Sequence, residues 1–146
     1  MFTHILLATD GSAASEPAAR LAVDLARVHQ ARLTAVYVVD PYPYLGIGDT
    51  NPLGLNAYLS AAREHAAVAH AGVLALCRGP GKPVEVELRL LEDVTAARGI
   101  LAAGKEEGAD LIVAGSHGRT GIKQLLLGSV AAQLVSLSTV PVLIAR

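Results

Sequence analysis

Ile5-Leu6-Leu7-Ala8, broken at once by Thr9-Asp10-Gly11-Ser12, is the stretch whose reading decides the fold. Its hydrophobicity is continuous, not alternating, as expected of a strand covered on both faces in a parallel sheet. Leu111-Ile112-Val113-Ala114 repeats the pattern and runs straight into Gly115-Ser116-His117-Gly118. Leu33-Thr34-Ala35-Val36-Tyr37-Val38-Val39, rich in β-branched residues, reads as a third buried strand. Val84-Glu85-Val86-Glu87-Leu88-Arg89-Leu90 alternates apolar and charged residues, which predicts a strand with one wet face at a sheet edge. Val140 to Ile144 supplies a fifth.

Helical patterns fill the gaps. The first places Ala18, Leu21, Ala22, Leu25 and Val28 on one face, with Ser12 or Ser15 as cap and Pro17 in the first turn. The second covers residues 57–78, stopped by Gly79-Pro80-Gly81. The third starts at Asp93 or Thr95 and ends before Gly108; the last spans residues 129–137. Residues 40–56, with Pro41, Pro43, Gly46, Gly48, Pro52 and Gly54, read as a long surface loop. Strands alternating with helices imply an α/β fold: an open five-stranded parallel sheet with helices on both faces and right-handed crossovers. Residues 1–146 show neither a second composition regime nor an internal repeat, so one domain is expected.

Composition narrows the function classes. The chain has 146 residues, 52% of them hydrophobic and 17% charged, which suits a filled aliphatic core and excludes a disordered chain. A net charge of −1 favours neither a nucleic-acid backbone nor an anionic membrane. Cys77 is the single cysteine; with no internal partner it fits a reducing, cytoplasmic setting and reads as a buried structural thiol. The N-terminus lacks the basic start and cleavage site of a signal peptide. Residues 124–145 carry no charge and are long enough to span a bilayer. However, Gln133, Ser136, Ser138, Thr139 and Pro141 interrupt them, and a helix followed by a buried strand explains them better.

Chemistry concentrates after the fourth strand, where Gly115, Gly118 and the pair Gly128-Ser129 frame one loop. Glycines let backbone amides crowd around a ligand, and the start of the following helix adds free N–H donors with a positive dipole end. The target such a turn suits is a polyphosphate. Tight βα turns alone would also use single glycines; three framing one loop shift the balance toward binding. The P-loop pattern is missing, and Gly46-Ile47-Gly48 lacks the third glycine of a dinucleotide fingerprint.

The residues Ile5 to Ser12, Val36-Tyr37-Val38-Val39-Asp40, and Ala114 to Gly121 continuing to Leu127-Gly128-Ser129-Val130 resemble the universal stress protein family in its ATP-binding branch, over essentially the whole chain. The resemblance implies a Rossmann-like fold, of the adenine nucleotide alpha hydrolase type. It also implies an ATP site built from Ala8, Asp10, Val38, Ala114, Gly115, His117, Gly118, Gly128, Ser129 and Val130. Asp10 and Val38 would line the adenosine pocket; Gly115, His117 and Gly118 would pass the ribose and α-phosphate. Gly128, Ser129 and Val130 would hold the outer phosphates. It further implies a homodimer through the last strand, Val140 to Ile144.

Individual residues carry competing roles. Asp10 can hold a ligand hydroxyl and also make a turn to the amides of Gly11 and Ser12. His117 has no acidic partner nearby in sequence, which favours its backbone over its ring. Arg119 and Lys123 either neutralise phosphate or stay solvated. His4, His29, His65 and His70 show no metal-ligand spacing, so Mg2+ would arrive carried by the nucleotide. A dimeric nucleotide-binding regulatory protein is the leading expectation. A slow ATPase or nucleotidyl-transfer enzyme would need a positioned base, which the sequence does not name. A structural dimer with an unused site would not need the glycine loop.

Overall fold

The computed structural model of the chain describes residues 1–41, 52–117 and 127–146. Its elements follow in the order β1 (His4–Ala8), a 3-10 turn (Ala13–Ser15), α1 (Glu16–His29), β2 (Arg32–Val38), α2 (Pro52–Cys77) and β3 (Val86–Leu91). Then come α3 (Ala96–Glu107), β4 (Leu111–Gly115), α4 (Ser129–Leu137) and β5 (Val142–Ala145). The five strands form one sheet in the order β3-β2-β1-β4-β5, and every pairing is parallel. Two registers fix the centre: Ile5 lies opposite Leu33 on β2 and opposite Leu111 on β4.

The unbroken apolar runs are explained by burial on both faces. Ile5, Leu7, Leu33, Ala35, Leu111 and Val113 pack with Ala22, Val23 and Ala26 of α1 and Val73 and Cys77 of α2. From the same strands Leu6, Val36, Ile112 and Ala114 turn the other way, onto Ile100 of α3 and Leu134 of α4. Successive strand residues alternate faces, so only a sheet covered twice needs every position apolar. Cys77 is buried, and burial pushes its thiol pKa upward.

Several boundaries differ from the sequence-based expectation for identifiable reasons. On α1 the buried stripe is Ala18, Ala19, Ala22, Val23 and Ala26, and Val28 is 77% exposed. At 3.6 residues per turn Val28 sits about 150° from the centre of that stripe, so it cannot share the face. Ser15 occupies the cap position of α1 without a side-chain capping bond; its hydroxyl donates to the Ser12 carbonyl at 2.9 Å instead. Pro52 opens α2, so part of the expected loop is helix: proline at a first helical position removes only a donor that would lie idle. Thr95, not Asp93, caps α3, and Gly108 closes it at φ 67°, a left-handed turn that glycine adopts without a Cβ clash.

At β3 the charged face is not simply wet. Arg89 reaches α3, pairing with Glu107 at 2.8 Å and Glu106 at 3.2 Å. The strand nevertheless stands at a sheet edge, as its alternation predicts. The chain around residues 124–145 holds a short helix, then a strand, and among the described residues no helix is long and apolar enough to cross a membrane.

Candidate functional site

The strand order reverses at the centre of the sheet: from β1 the chain builds outward to β2 and β3, then returns to place β4 on the other side of β1. Connections leaving β1 and β4 therefore diverge and leave a crevice beyond their carboxyl ends. A cavity of about 420 Å³ lies there. The sheet contributes Ala8, Val36, Val38, Ala114 and Gly115; α3 closes one flank with Ala96 and Ile100; α2 closes another with Tyr58, Ala61, Ala62 and His65. Gly128, Ser129 and Val130 bring the start of α4 to its rim. Of the ten residues expected to form a site, nine line this one cavity, and Gly118 lies outside the described residues, as do Arg119 and Lys123.

Asp10 shapes the turn after β1. One carboxylate oxygen accepts both the Ser12 amide, at 2.9 Å, and the Ser12 hydroxyl, at 2.6 Å. The Gly11 amide, expected to share that carboxylate, donates to the Thr9 hydroxyl at 3.2 Å instead. Gly11 itself takes φ 73°, a left-handed turn that glycine adopts without a Cβ clash. A Cβ on Gly11 would stand 2.8 Å from the Ala69 Cβ, so this turn also lets α2 settle beside the cavity.

The glycines after β4 have a measurable packing role. A Cβ on Gly115 would lie 3.2 Å from the Ala14 carbonyl oxygen and 3.3 Å from that of His117. One on Gly128 would lie 3.0 Å from the Ser116 carbonyl oxygen, which accepts the Gly128 amide at 2.7 Å. These contacts draw the start of α4 against the end of β4. Gly128 caps α4 with no side-chain bond, so the amides of Ser129, Val130 and Ala131 have no acceptor among the described residues. Such a helix start carries partial positive charge into the cavity rim.

Two side chains matter beyond the sequence-based expectation. The His117 ring is engaged: Nδ1 lies 2.9 Å from the Ser116 hydroxyl, and Nε2 is buried without a hydrogen-bond partner among the described residues. Tyr58 donates its hydroxyl to the Asp40 carbonyl at 2.7 Å, tying α2 to the end of β2. Burial, with the Asp40 charge adding to it, raises the Tyr58 pKa, so the phenol stays a donor. Sequence reasoning missed the α2 wall. Tyr58, Ala61, Ala62 and His65 share one helical face by spacing, yet nothing local says that this face turns to the cavity. Among the described residues no group of three His, Cys, Asp or Glu is placed to hold a metal ion.

The cavity's position and lining can be set beside known proteins. The model of the universal stress protein family matches residues 1–146. The chain belongs to the universal stress protein family. A universal stress protein of Thermus aquaticus is 37% identical to it over 147 residues, covering 100% of both chains. The solved universal stress protein UspA of Lactobacillus plantarum superposes with a TM-score of 0.81 at 26% identity, covering 99% of this chain and 97% of that one. Another family member, solved in complex with cAMP, gives a TM-score of 0.62 at 26% identity, covering 99% and 97%. The parallel sheet and its helices are thus those of the family.

Proposed function

We propose that this universal stress protein binds ATP, with any Mg2+ carried in by the nucleotide, and acts as a dimeric cytoplasmic regulator. In this reading residues 1–146 form one nucleotide-binding domain. The observation that carries the reading is the cavity at the reversal of strand order, which combines an apolar sheet wall with α-helix-start amides that have no acceptor among the described residues. Adenosine suits the aliphatic wall of Val36, Val38 and Ile100, and Asp10 offers a carboxylate to a ribose hydroxyl. The phosphates suit the amides of Ser129 and Val130, together with Gly115, Gly118 and Gly128 around them. A family member's complex with cAMP supports an adenine nucleotide as the ligand class.

The energetics agree with a sensor. Three or four charge-assisted amide bonds at roughly 1.5 kcal/mol each contribute about 5 kcal/mol. Burying about 150 Å² of apolar nucleoside adds about 4 kcal/mol. After ordering losses, the affinity falls at about micromolar to tens of micromolar, enough to fill the site at millimolar ATP. Pairing of two chains through β5, whose outer edge has no partner strand among the described residues, completes the proposal. Nucleotide released from purified protein by denaturation and identified by mass spectrometry, followed by calorimetry with ATP, tests it. Adenine nucleotide in the extract and saturable binding are expected. An empty extract with no heat of binding at millimolar ATP overturns it.

A further inference from the structure

Helix α2 is anchored in two separate places. Val73 and Cys77, in its second half, belong to the large cluster that α1 shares with the sheet. Ala62, Ala66 and Ala69 of its first half, with Tyr58 and Leu59, pack instead on Tyr37 and Val39 in a satellite cluster. The residues with which the helix lines the cavity, Tyr58, Ala61, Ala62 and His65, all lie in that first half. Buried alanines cover little apolar area, so this wall is lightly held. Its polar ties are light as well. Tyr58 donates to the Asp40 carbonyl, and Arg63 pairs with Glu92 at 2.7 Å, both side chains of that pair staying partly exposed.

The junction between the two halves, His70 to Gly72, is the weak point of the helix. Gly72 is an exposed glycine in a helix interior, where glycine costs stability relative to alanine. No packing requires it: a Cβ there would meet nothing within 4 Å. Gly99 of α3 differs, since a Cβ on it would stand 2.9 Å from Val94. A groove between α1 and α2, with Val23, Asp24 and Ala75 in its lining, opens beside Gly72 and leaves that side of the turn unbraced. His70, two residues earlier, is 9% exposed, and its Nε2 is buried without a hydrogen-bond partner among the described residues. An unmet buried nitrogen disfavours the packed arrangement and is relieved when movement lets water in. Hinges form at a few residues, often small ones, that absorb a change in backbone angle.

We propose that the first half of α2, up to Ala69, is a movable wall of the cavity that swings about His70 to Gly72 and so admits and releases the ligand. That the ligand is a nucleotide rests on the reading above; the swing does not. With the wall in, Tyr58 and Arg63 keep their ties to the ends of β2 and β3. With the wall out, those groups pass to water, while Val73 and Cys77 stay in the core. A nucleotide that touches both the sheet and the wall favours the closed arrangement, and closure in turn slows its release.

The test uses the whole chain with pairs of spin labels at exposed sites, Cys77 being buried and left unlabelled. One pair joins Ser60→Cys on the wall to Lys105→Cys on α3; the other joins Ala75→Cys, beyond the hinge, to the same reference. Without ligand the Ser60 pair should show a longer distance beside the closed one, and ATP should remove it. The Ala75 pair should show one distance throughout. Gly72→Ala, which fits without a clash, should suppress the longer distance. It should also slow release of a fluorescent ATP analogue about fivefold, the factor set by the cost of glycine inside a helix. A single Ser60 distance, with ATP and without it, overturns the swing. Two distances for the Ala75 pair, or wild-type distances and release in Gly72→Ala, overturn the hinge at Gly72. Two distances for the Ser60 pair in a protein that gives no heat with ATP uphold the swing and overturn the nucleotide reading instead.

Discussion

Replacing Gly128 by alanine separates packing from helix capping at the rim of the cavity. The backbone there, φ −60° and ψ 159°, is open to any residue, so alanine brings no conformational strain. What it brings is a methyl group 3.0 Å from the Ser116 carbonyl oxygen and 3.5 Å from the His117 Cα. That carbonyl cannot swing aside, because it accepts the Gly128 amide at 2.7 Å and its peptide continues β4. Overpacking against fixed backbone costs about 1–3 kcal/mol. Exchanging glycine for alanine at a helix cap costs about 0.5–1 kcal/mol more. Gly128→Ala should therefore lose about 1.5–4 kcal/mol, seen in urea as a lower midpoint at unchanged slope. Gly128→Ser decides between the causes. Serine is at least as good a cap as glycine but carries the same Cβ, so crowding predicts a loss of about 1–3 kcal/mol and capping alone predicts none. Wild-type stability in Gly128→Ser would refute the argument that close approach to Ser116 is what this position requires. Both variants should also bind ATP about tenfold more weakly, since the start of α4 is pushed from the cavity.

Gly11→Ala should destabilise by about 2–4 kcal/mol, from left-handed strain at φ 73° plus the 2.8 Å approach to Ala69. Adding Ala69→Gly should recover part of that in a double-mutant cycle, and strictly additive losses would disprove the contact. His70, a residue of α2 that is 9% exposed and edge-on to Tyr37 at 6.3 Å, has its pKa lowered from 6.5 by burial, partly opposed by a hydrogen bond with the backbone of Ala35. The unfolded chain thus takes up this proton first as pH falls, so stability is full above about pH 6.5 and declines below it. His70→Phe should flatten that decline, and an identical stability-pH curve in the variant would remove His70 as its source. Val142→Lys, on β5, should shift a dimer toward monomer in light scattering, and a monomeric wild type would dispose of the β5 interface.

Much of the fold was legible because its signals are local. Continuous apolarity at Ile5–Ala8 and Leu111–Ala114 requires cover on both faces, and the charges at Glu87 and Arg89 mark a strand that cannot sit mid-sheet. The start of α4 at Ser129 followed from the Gly128-Ser129 pair before it. Less legible was the face of α1, where alanines rather than larger residues are buried: a small side chain lets a helix sit close to the sheet, and composition does not reveal that choice. The opening of α2 was hidden by Pro52 and Gly54, residues that read as loop until a long helix is packed around them.

By itself the sequence determined the kinds of elements and their succession, along with the glycine-framed turn after β4, because periodicity and turn chemistry act over a few residues. Tertiary structure decided that β4 lies beside β1, and so where the crevice opens. It also turned Tyr58 and His65 of α2 toward that crevice and set Ser116 against the His117 ring. Those outcomes depend on contacts between segments far apart in the chain, or on the backbone hydrogen bonds that tie Ser116 to Ala145 of β5 and to Gly128 at the cap of α4, and neither leaves a local pattern to read.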